Sequence, residues 1–492
     1  MASQATQGSA GDPAGRDPAR DHHGKVVMLS VAAAVGGFLF GFDSSVINGA
    51  VEAIEGQFGL SAFVTGFVVA IALLGCAAGA WYAGRWADRW GRTRVMLIGA
   101  VLFLASSLGA GLAITVWDLA FWRFVGGLGI GIASVIAPAY IAEIAPASMR
   151  GRLGSLQQLA ITTGIFVALL SDAFWANTAG GARAEVLGLP AWRWMFLVGA
   201  VPSVVYGVLA LQIPESPRYL VAKGELVQAA HVLRRFVGLS SPEAKIQDIR
   251  RTIDTERAPS LHDLRGPTFG LLPIVWVGIA LSAFQQLVGI NVIFYYSTTL
   301  WQAVGFSESS SFVISVLTSI TNVVVTVVAI ALVDRVGRRI LLLVGSAGMA
   351  ASLGAMTLAF TQATLVTGAD GTQAPSLPGH WGTVALVGAN AFVVAFGATW
   401  GPVVWVLLGE IFPNRIRGAA LSVAAAAQWL TNFVITTTFP PLASVSLVLA
   451  YGLYTMFAAI SFFFVLWKVD ETKGRELEDM TGDVRSRRSG PG

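Results

Sequence analysis

The chain has 492 residues, 55% of them hydrophobic and only 12% charged, about half the charged fraction of an ordinary soluble domain. A membrane solvent explains that balance. The net charge of +4 would suit a nucleic-acid partner, but the basic residues are spaced as orientation signals, and the single cysteine, Cys76, excludes an intramolecular disulfide.

Residues 1–25, rich in Gly, Ala, Pro, Asp and His and without an apolar core of their own, read as a disordered cytoplasmic tail; His22 and His23 on it read as solvated rather than metal-binding. Long apolar runs then predict twelve transmembrane helices, near 26–49, 62–83, 95–115, 118–142, 154–176, 194–213, 270–302, 310–333, 340–362, 383–409, 419–439 and 444–467. Each is long enough to cross a ~30 Å hydrocarbon core, and the first serves as an uncleaved insertion signal. Abundant Gly and Ala fit close helix packing where lipid supplies no hydrophobic drive between helices. The expected fold is an all-α integral membrane protein of two pseudo-symmetric six-helix bundles, 26–213 and 267–467. Between them, 214–266 contains two stretches of helical spacing, KGELVQAAHVLRRFVG and EAKIQDIRRTIDTERA, expected as short helices against the cytoplasmic surface. That segment holds no nucleophile, base or metal cluster and reads as a linker. Thr364 to His380, rich in Gly, Pro and Thr, reads as an external loop, and 468–492 as a second cytoplasmic tail.

Charged patterns repeat at matching points of the two halves. GRWADRWGR (Gly84 to Arg92) returns as VDRVGRR (Val333 to Arg339), EIAPASMRG (Glu143 to Gly151) as EIFPNRIRG (Glu410 to Gly418), and PESPR (Pro214 to Arg218) is answered by DETKGR (Asp470 to Arg475). Duplicated six-span halves are a transporter architecture with substrate held near the midplane. Lys25, Arg85, Arg89, Arg92, Arg94, Arg150, Arg152, Arg335, Arg338, Arg339, Arg415 and Arg417 fall on one set of alternating loops, with Arg183 and Arg193 the exceptions on the other. Positive residues stay inside, so both termini are placed in the cytoplasm of a multi-pass plasma (inner) membrane protein. Orientation alone does not need the acids that accompany these arginines. Asp88, Arg89, Arg92, Glu143, Arg150 and Glu215, with Asp334, Arg335, Arg338, Glu410, Arg417 and Glu471, are therefore read as a gate closing the cytoplasmic end through charge-assisted hydrogen bonds.

Together with PAYIAEIAP (Pro138 to Pro146), QQLVGINVIFYYS (Gln285 to Ser297) and GPVVWVLLGEIFP (Gly401 to Pro413), these motifs resemble the sugar porter family of the major facilitator superfamily. The resemblance runs from the first helix to the C-terminal tail. Sugars present hydroxyls on their edges and C–H groups on their faces, so a site needs amides around a ring and an aromatic platform. The spans supply both, and the resemblance places sugar contacts at Gln158, Gln285, Gln286, Asn291, Asn322, Trp405, Gln428, Trp429 and Asn432, with Phe40, Tyr295 and Tyr296 near the cavity wall. The sequence GIN inside the seventh span is expected to break that helix.

Asp43 lies within the first span and Arg123 within the fourth. Ionisable residues in spans line a pathway or pair with one another. A carboxylate beside a guanidinium stays ionised and, once protonated, releases the arginine, so this pair is read as the proton-coupling site. Proton-coupled sugar porters carry an acid at the position of Asp43, whereas many facilitators are neutral there; an uncoupled facilitator remains the alternative. A drug antiporter is disfavoured because the fifth span reads LGSLQQLAITTGIFVALL, without the GP-rich motif of that class, and an enzyme because no soluble segment has a catalytic constellation. The partners expected are a sugar, a proton and the bilayer, with no cofactor or metal, for a monomer. Ile165, near Gln158, is apolar as in the glucose facilitators that the chain resembles, and the resemblance therefore implies D-glucose ahead of xylose, galactose or a cyclic polyol.

Overall fold

The structure is a computed structural model and describes residues 18–146, 149–239, 241–255, 261–367, 373–413 and 416–471. Twelve helices among these are long and apolar enough to span a bilayer: Gly24–Phe58, Ala62–Trp90, Arg92–Gly111, Val116–Ile144, Leu153–Ala179, Ala191–Gln212, Pro273–Tyr295, Glu308–Ala331, Arg338–Phe360, Trp381–Ile411, Arg417–Val445 and Leu447–Lys468. In hydrocarbon every backbone donor must be paired within its own segment, and the helix does this. Ser61, Thr115, Ser307 and Ser446 open the second, fourth, eighth and twelfth spans as N-caps, each accepting a backbone N–H three residues on.

Four of the spans are interrupted, the sixth between Ala191–Leu197 and Ala200–Gln212. The first runs Pro18–Ser45 and resumes at Ile47–Phe58 after a turn at Val46. The tenth stops at Gly397 and restarts at Trp400, with Thr399 at φ −132° and ψ −86°. The seventh breaks, as GIN suggests, into Pro273–Leu287 and Ile290–Tyr295, followed by Ser297–Ala303. Gly289 makes the break with φ 79°, and a Cβ there would fall 2.7 Å from the ring of Tyr454. No other residue combines that backbone with that clearance.

Two expectations need correction. The first helix begins at Pro18, inside the stretch read as a disordered tail, because its polar first turns precede the apolar run without a breaker. The segment read as an external loop carries an antiparallel hairpin, Thr364–Thr367 on Gln373–Ser376; its β-branched residues pair where Gly and Pro alone signal a loop.

Within the first half the second and fourth spans approach closely through glycines; a Cβ on Gly127 would strike the backbone of Ala72. The halves meet along the second and eleventh spans, where Gly66 faces the backbone of Thr437, and along the fifth and eighth. Between the halves, helices Pro217–Ala222, Leu226–Val232 and Pro242–Thr255 share a small apolar core of Leu220, Val221, Ala229, Val232, Leu233 and Ile246. Twelve spans leave Pro18, Glu471 and these helices at one end of the molecule.

Candidate substrate and ion-coupling site

At that end the duplicated motifs build two copies of one cage. Arg92 donates from Nη2 to Glu143 Oε1 at 2.9 Å, and its backbone N–H donates to Glu215 Oε1 at 2.9 Å while Thr93 N–H reaches Glu215 Oε2 at 3.2 Å. In the second half Arg338 Nη2 donates to Glu410 Oε1 at 3.0 Å, and Glu471 accepts the backbone N–H groups of Arg338 and Arg339 at 3.0 and 3.1 Å. Glu215 and Glu471 thus cap the third and ninth spans, where orphan N–H groups and the helix dipole favour negative charge. Asp88 pairs with Arg92 at 3.2 Å. Ser216 donates to the other oxygen of Glu143. Arg417 Nε donates to the Phe412 carbonyl at 3.2 Å, and the Arg89 carbonyl accepts from Tyr219. The side chains of Arg150, Asp334 and Arg335 lie outside the described residues. The ion pairs Arg92 with Asp88 and Glu143, and Arg338 with Glu410, each stay inside one half.

Hydrogen bonds between the halves are found among the described residues toward the opposite end. Thr298 donates its N–H to Asn48 Oδ1 at 3.1 Å and its hydroxyl to the Asn48 carbonyl at 2.7 Å. Glu308 accepts the N–H of Ala182 at 2.8 Å, and Ser309 donates to Asn177 at 3.3 Å. This end is fastened. The two arginines that depart from the charge rule have structural work here: Arg193 Nη1 donates to the carbonyls of Gly111 and Ala113 at 3.0 and 2.8 Å, closing the C-terminus of the third span, and Arg183 Nη2 donates to the Glu52 carbonyl at 2.9 Å.

The seventh-span amides form a chain near the helix break. Asn291 Nδ2 donates to Gln286 Oε1 at 2.6 Å, Gln286 Nε2 to Gln285 Oε1 at 3.4 Å, and Gln285 Nε2 to the carbonyls of Trp400 and Gly401 at 3.0 and 3.2 Å. Those carbonyls belong to the first turn after the tenth-span break. Gly401 and Trp405 are one turn apart, so Trp405 lies on the side of that helix that Gln285 reaches; its side chain is 41% exposed. Asn322 sits on the eighth span opposite Gly397, where a Cβ would lie 3.5 Å from Asn322 Oδ1. From the eleventh span, Trp429 packs against Phe40 of the first at 5.7 Å between centroids. Gln428 Oε1 is buried and meets no donor of the protein. Asn432 Oδ1 accepts from Thr436 at 3.0 Å, and Tyr295 lies beside both Asn432 and Ser44. Gln158 is half-buried on the fifth span and has no described bond to the other amides. Its neighbour Gln157 is the more enclosed, pressed near Gly37, with both amide atoms unpartnered by protein.

Ser44 adjoins Asp43, which meets Arg123 deep between the first and fourth spans. Arg123 Nη1 donates to Asp43 Oδ2 at 3.2 Å and to the Asp43 main-chain carbonyl at 2.8 Å. The arginine also lies over the Phe196 ring at 5.9 Å. Its hold on the first span is therefore partly on the backbone, which the sequence could not reveal. Neutralising the carboxyl removes one of two attachments.

Asn48, Thr298 and Asp172 were not legible as functional residues. The first two act as a pair only because the ends of two distant helices meet. Asp172 obeys the same rule on intramembrane acids that singles out Asp43, but in SDAFWAN it passes for the polar end of the fifth span.

Twelve spans in two related halves define a multi-pass membrane transporter of the major facilitator fold. The family described as sugar (and other) transporter matches residues 29–483, and the chain belongs to the sugar porter family. It is 55% identical over 458 residues to a glucose transport protein of Synechocystis, covering 92% of this chain and 97% of that relative. It is 36% identical over 497 residues to a D-xylose-proton symporter of Escherichia coli, covering 92% and 95%. Among solved structures it resembles the inward open conformation of the xylose transporter XylE from E. coli with a TM-score of 0.78 at 34% identity, over 92% of this chain and 99% of that one. Against the proton:xylose symporter XylE bound to 6-bromo-6-deoxy-D-glucose the TM-score is 0.75 at 34% identity, over 93% and 99%.

Proposed function

We propose that the chain is a proton-coupled monosaccharide symporter working by alternating access, with D-glucose the leading substrate. The observation that carries this reading is the continuity from the amide chain Gln285, Gln286 and Asn291 to the Asp43–Arg123 pair. Tyr295, on the same broken helix as Asn291, stands beside Asn432 of the eleventh span and Ser44 next to Asp43. A sugar gripped by the broken helix and a proton on Asp43 thus act on one set of helix contacts. Gln158, Asn322, Trp405, Gln428 and Trp429 complete the cage.

Basic residues place the terminal end in the cytoplasm of the plasma membrane. The Asn48–Thr298 fastening is then external, and the state described is the one that opens inward. In the cycle, Asp43 takes an external proton, Arg123 loosens from the carboxyl, sugar binds, and the halves rock. The protein acts as a monomer in the bilayer. The glucose assignment draws on the Synechocystis relative's name and on apolar Ile165, which packs at the edge of the apolar core. The proton coupling draws on the name of the E. coli symporter and on the acid at position 43.

Competition among unlabelled sugars tests the substrate. In vesicles holding the purified protein, D-glucose is expected to block uptake of labelled D-glucose at lower concentration than xylose or galactose. Stronger block by xylose would move the assignment to that sugar.

A further inference from the structure

We propose that Asp172 is a second titrating carboxyl, which takes a proton from the external side as that end closes and returns it there when the end opens, so that external pH biases the external gate. The inference rests on the proton-coupled reading above. Asp172 lies in the fifth span, about 10 Å inside its Ala179 end, and its side chain is fully buried. Oδ2 accepts from the Gly49 N–H at 3.2 Å; Oδ1 is buried and meets no donor among the described residues. A Cβ on Gly49 would fall 2.7 Å from the Asp172 Cβ, so the acid is pressed onto the first span's backbone.

The charged and titratable groups on the elements around it are engaged elsewhere. Arg123 holds Asp43, Arg193 holds the carbonyls of Gly111 and Ala113, Arg183 holds the Glu52 carbonyl, and Glu308 holds Ala182. Glu52 and Glu55, on the helix that carries Gly49, and Glu308 are themselves acids and offer no positive partner. An ionised Asp172 here would be a buried charge with one backbone N–H for its whole solvation. Such a charge is far costlier than the neutral acid.

What makes the burial conditional is the residue next to Gly49. Asn48 is the external fastening to Thr298, and its Nδ2 is also buried without a protein partner. When the halves part at this end Thr298 leaves, and water reaches positions 48 and 49 and the carboxyl behind them. Ionisation is then confined to the externally open form. Raising the pH draws the protein toward that form by up to tenfold per pH unit, and lowering it favours closure. External acid would in this way help to shut the external end.

Asp172→Asn keeps the size and an acceptor for Gly49 but removes the titration. The test is exchange of labelled D-glucose in proteoliposomes of the full chain, with equal pH on both sides, scanned toward alkaline pH. Wild type should fall more steeply than the variant, by up to about tenfold per pH unit, and Asp172→Glu should restore the steeper fall. The variant should also lose part of the infrared absorption of protonated carboxyl groups. Parallel pH profiles, or an unchanged infrared band, would overturn the role of Asp172. If the Asn variant does not insert, Asp172→Ser takes its place with the same readouts. Uphill uptake by wild type reports separately on proton coupling, so loss of that reading is distinguishable from loss of this one.

Discussion

Asp43→Asn is expected to abolish accumulation of sugar against its gradient while leaving sugar exchange across the membrane intact. The pair is deeply enclosed, with Asp43 6% and Arg123 1% exposed. Removing one partner of a buried ion pair costs about 3–5 kcal/mol, because the other charge is left uncompensated. Asn moderates that cost in two ways. Its side-chain carbonyl still accepts from the guanidinium, and the 2.8 Å bond from Arg123 to the main chain at position 43 does not depend on the side chain. The helices therefore stay joined while the titration disappears. One proton moving down 100 mV supplies about 2.3 kcal/mol, enough for a roughly fiftyfold sugar gradient, and the variant should hold none. Uphill uptake surviving in Asp43→Asn would take the proton role away from this residue.

Gln286→Ala is expected to weaken sugar binding by about 5- to 150-fold with the fold preserved. The estimate follows from about 1–3 kcal/mol for leaving buried polar partners unmade, converted at 1.4 kcal/mol per tenfold. Gln286 stands in the middle of the amide chain, taking Asn291 at 2.6 Å and giving to Gln285 at 3.4 Å. Its loss unpairs Asn291 and, at the proposed site, removes one contact for a sugar hydroxyl. Gln285 is a poorer probe of binding alone. Its Nε2 serves the carbonyls of Trp400 and Gly401 where the tenth span restarts, so Gln285→Ala should lower the yield of folded protein as well. Calorimetric titration of purified protein with D-glucose separates the two. An unchanged affinity in Gln286→Ala would remove that residue from the site.

The spans were legible because hydrocarbon permits few alternatives to the helix, and the repeated acid and arginine motifs because helix ends need them. The seventh-span break could be read from Gly289, whose backbone only glycine adopts easily. The tenth-span break was harder: Thr399 carries it, and the glycines at 397 and 401 read equally well as close packing. Contacts set by the meeting of distant helices, such as Asn48 with Thr298, leave no local pattern. The same limit applies to neighbours on one helix, since only the fold shows that Gln157 faces the first span while Gln158 is more open. Of the two proposed tryptophan platforms, Trp429 is enclosed beside Phe40, whereas Trp405 stays partly open.

A proton gradient is proposed to drive sugar through one chamber between the halves. The most direct test of this proposal is uptake of labelled D-glucose by proteoliposomes of the wild-type chain, made acidic outside and alkaline inside. Internal sugar should rise above the external concentration and fall back when a protonophore collapses the gradient. Uptake that stops at equal concentrations, with or without the gradient, would contradict it.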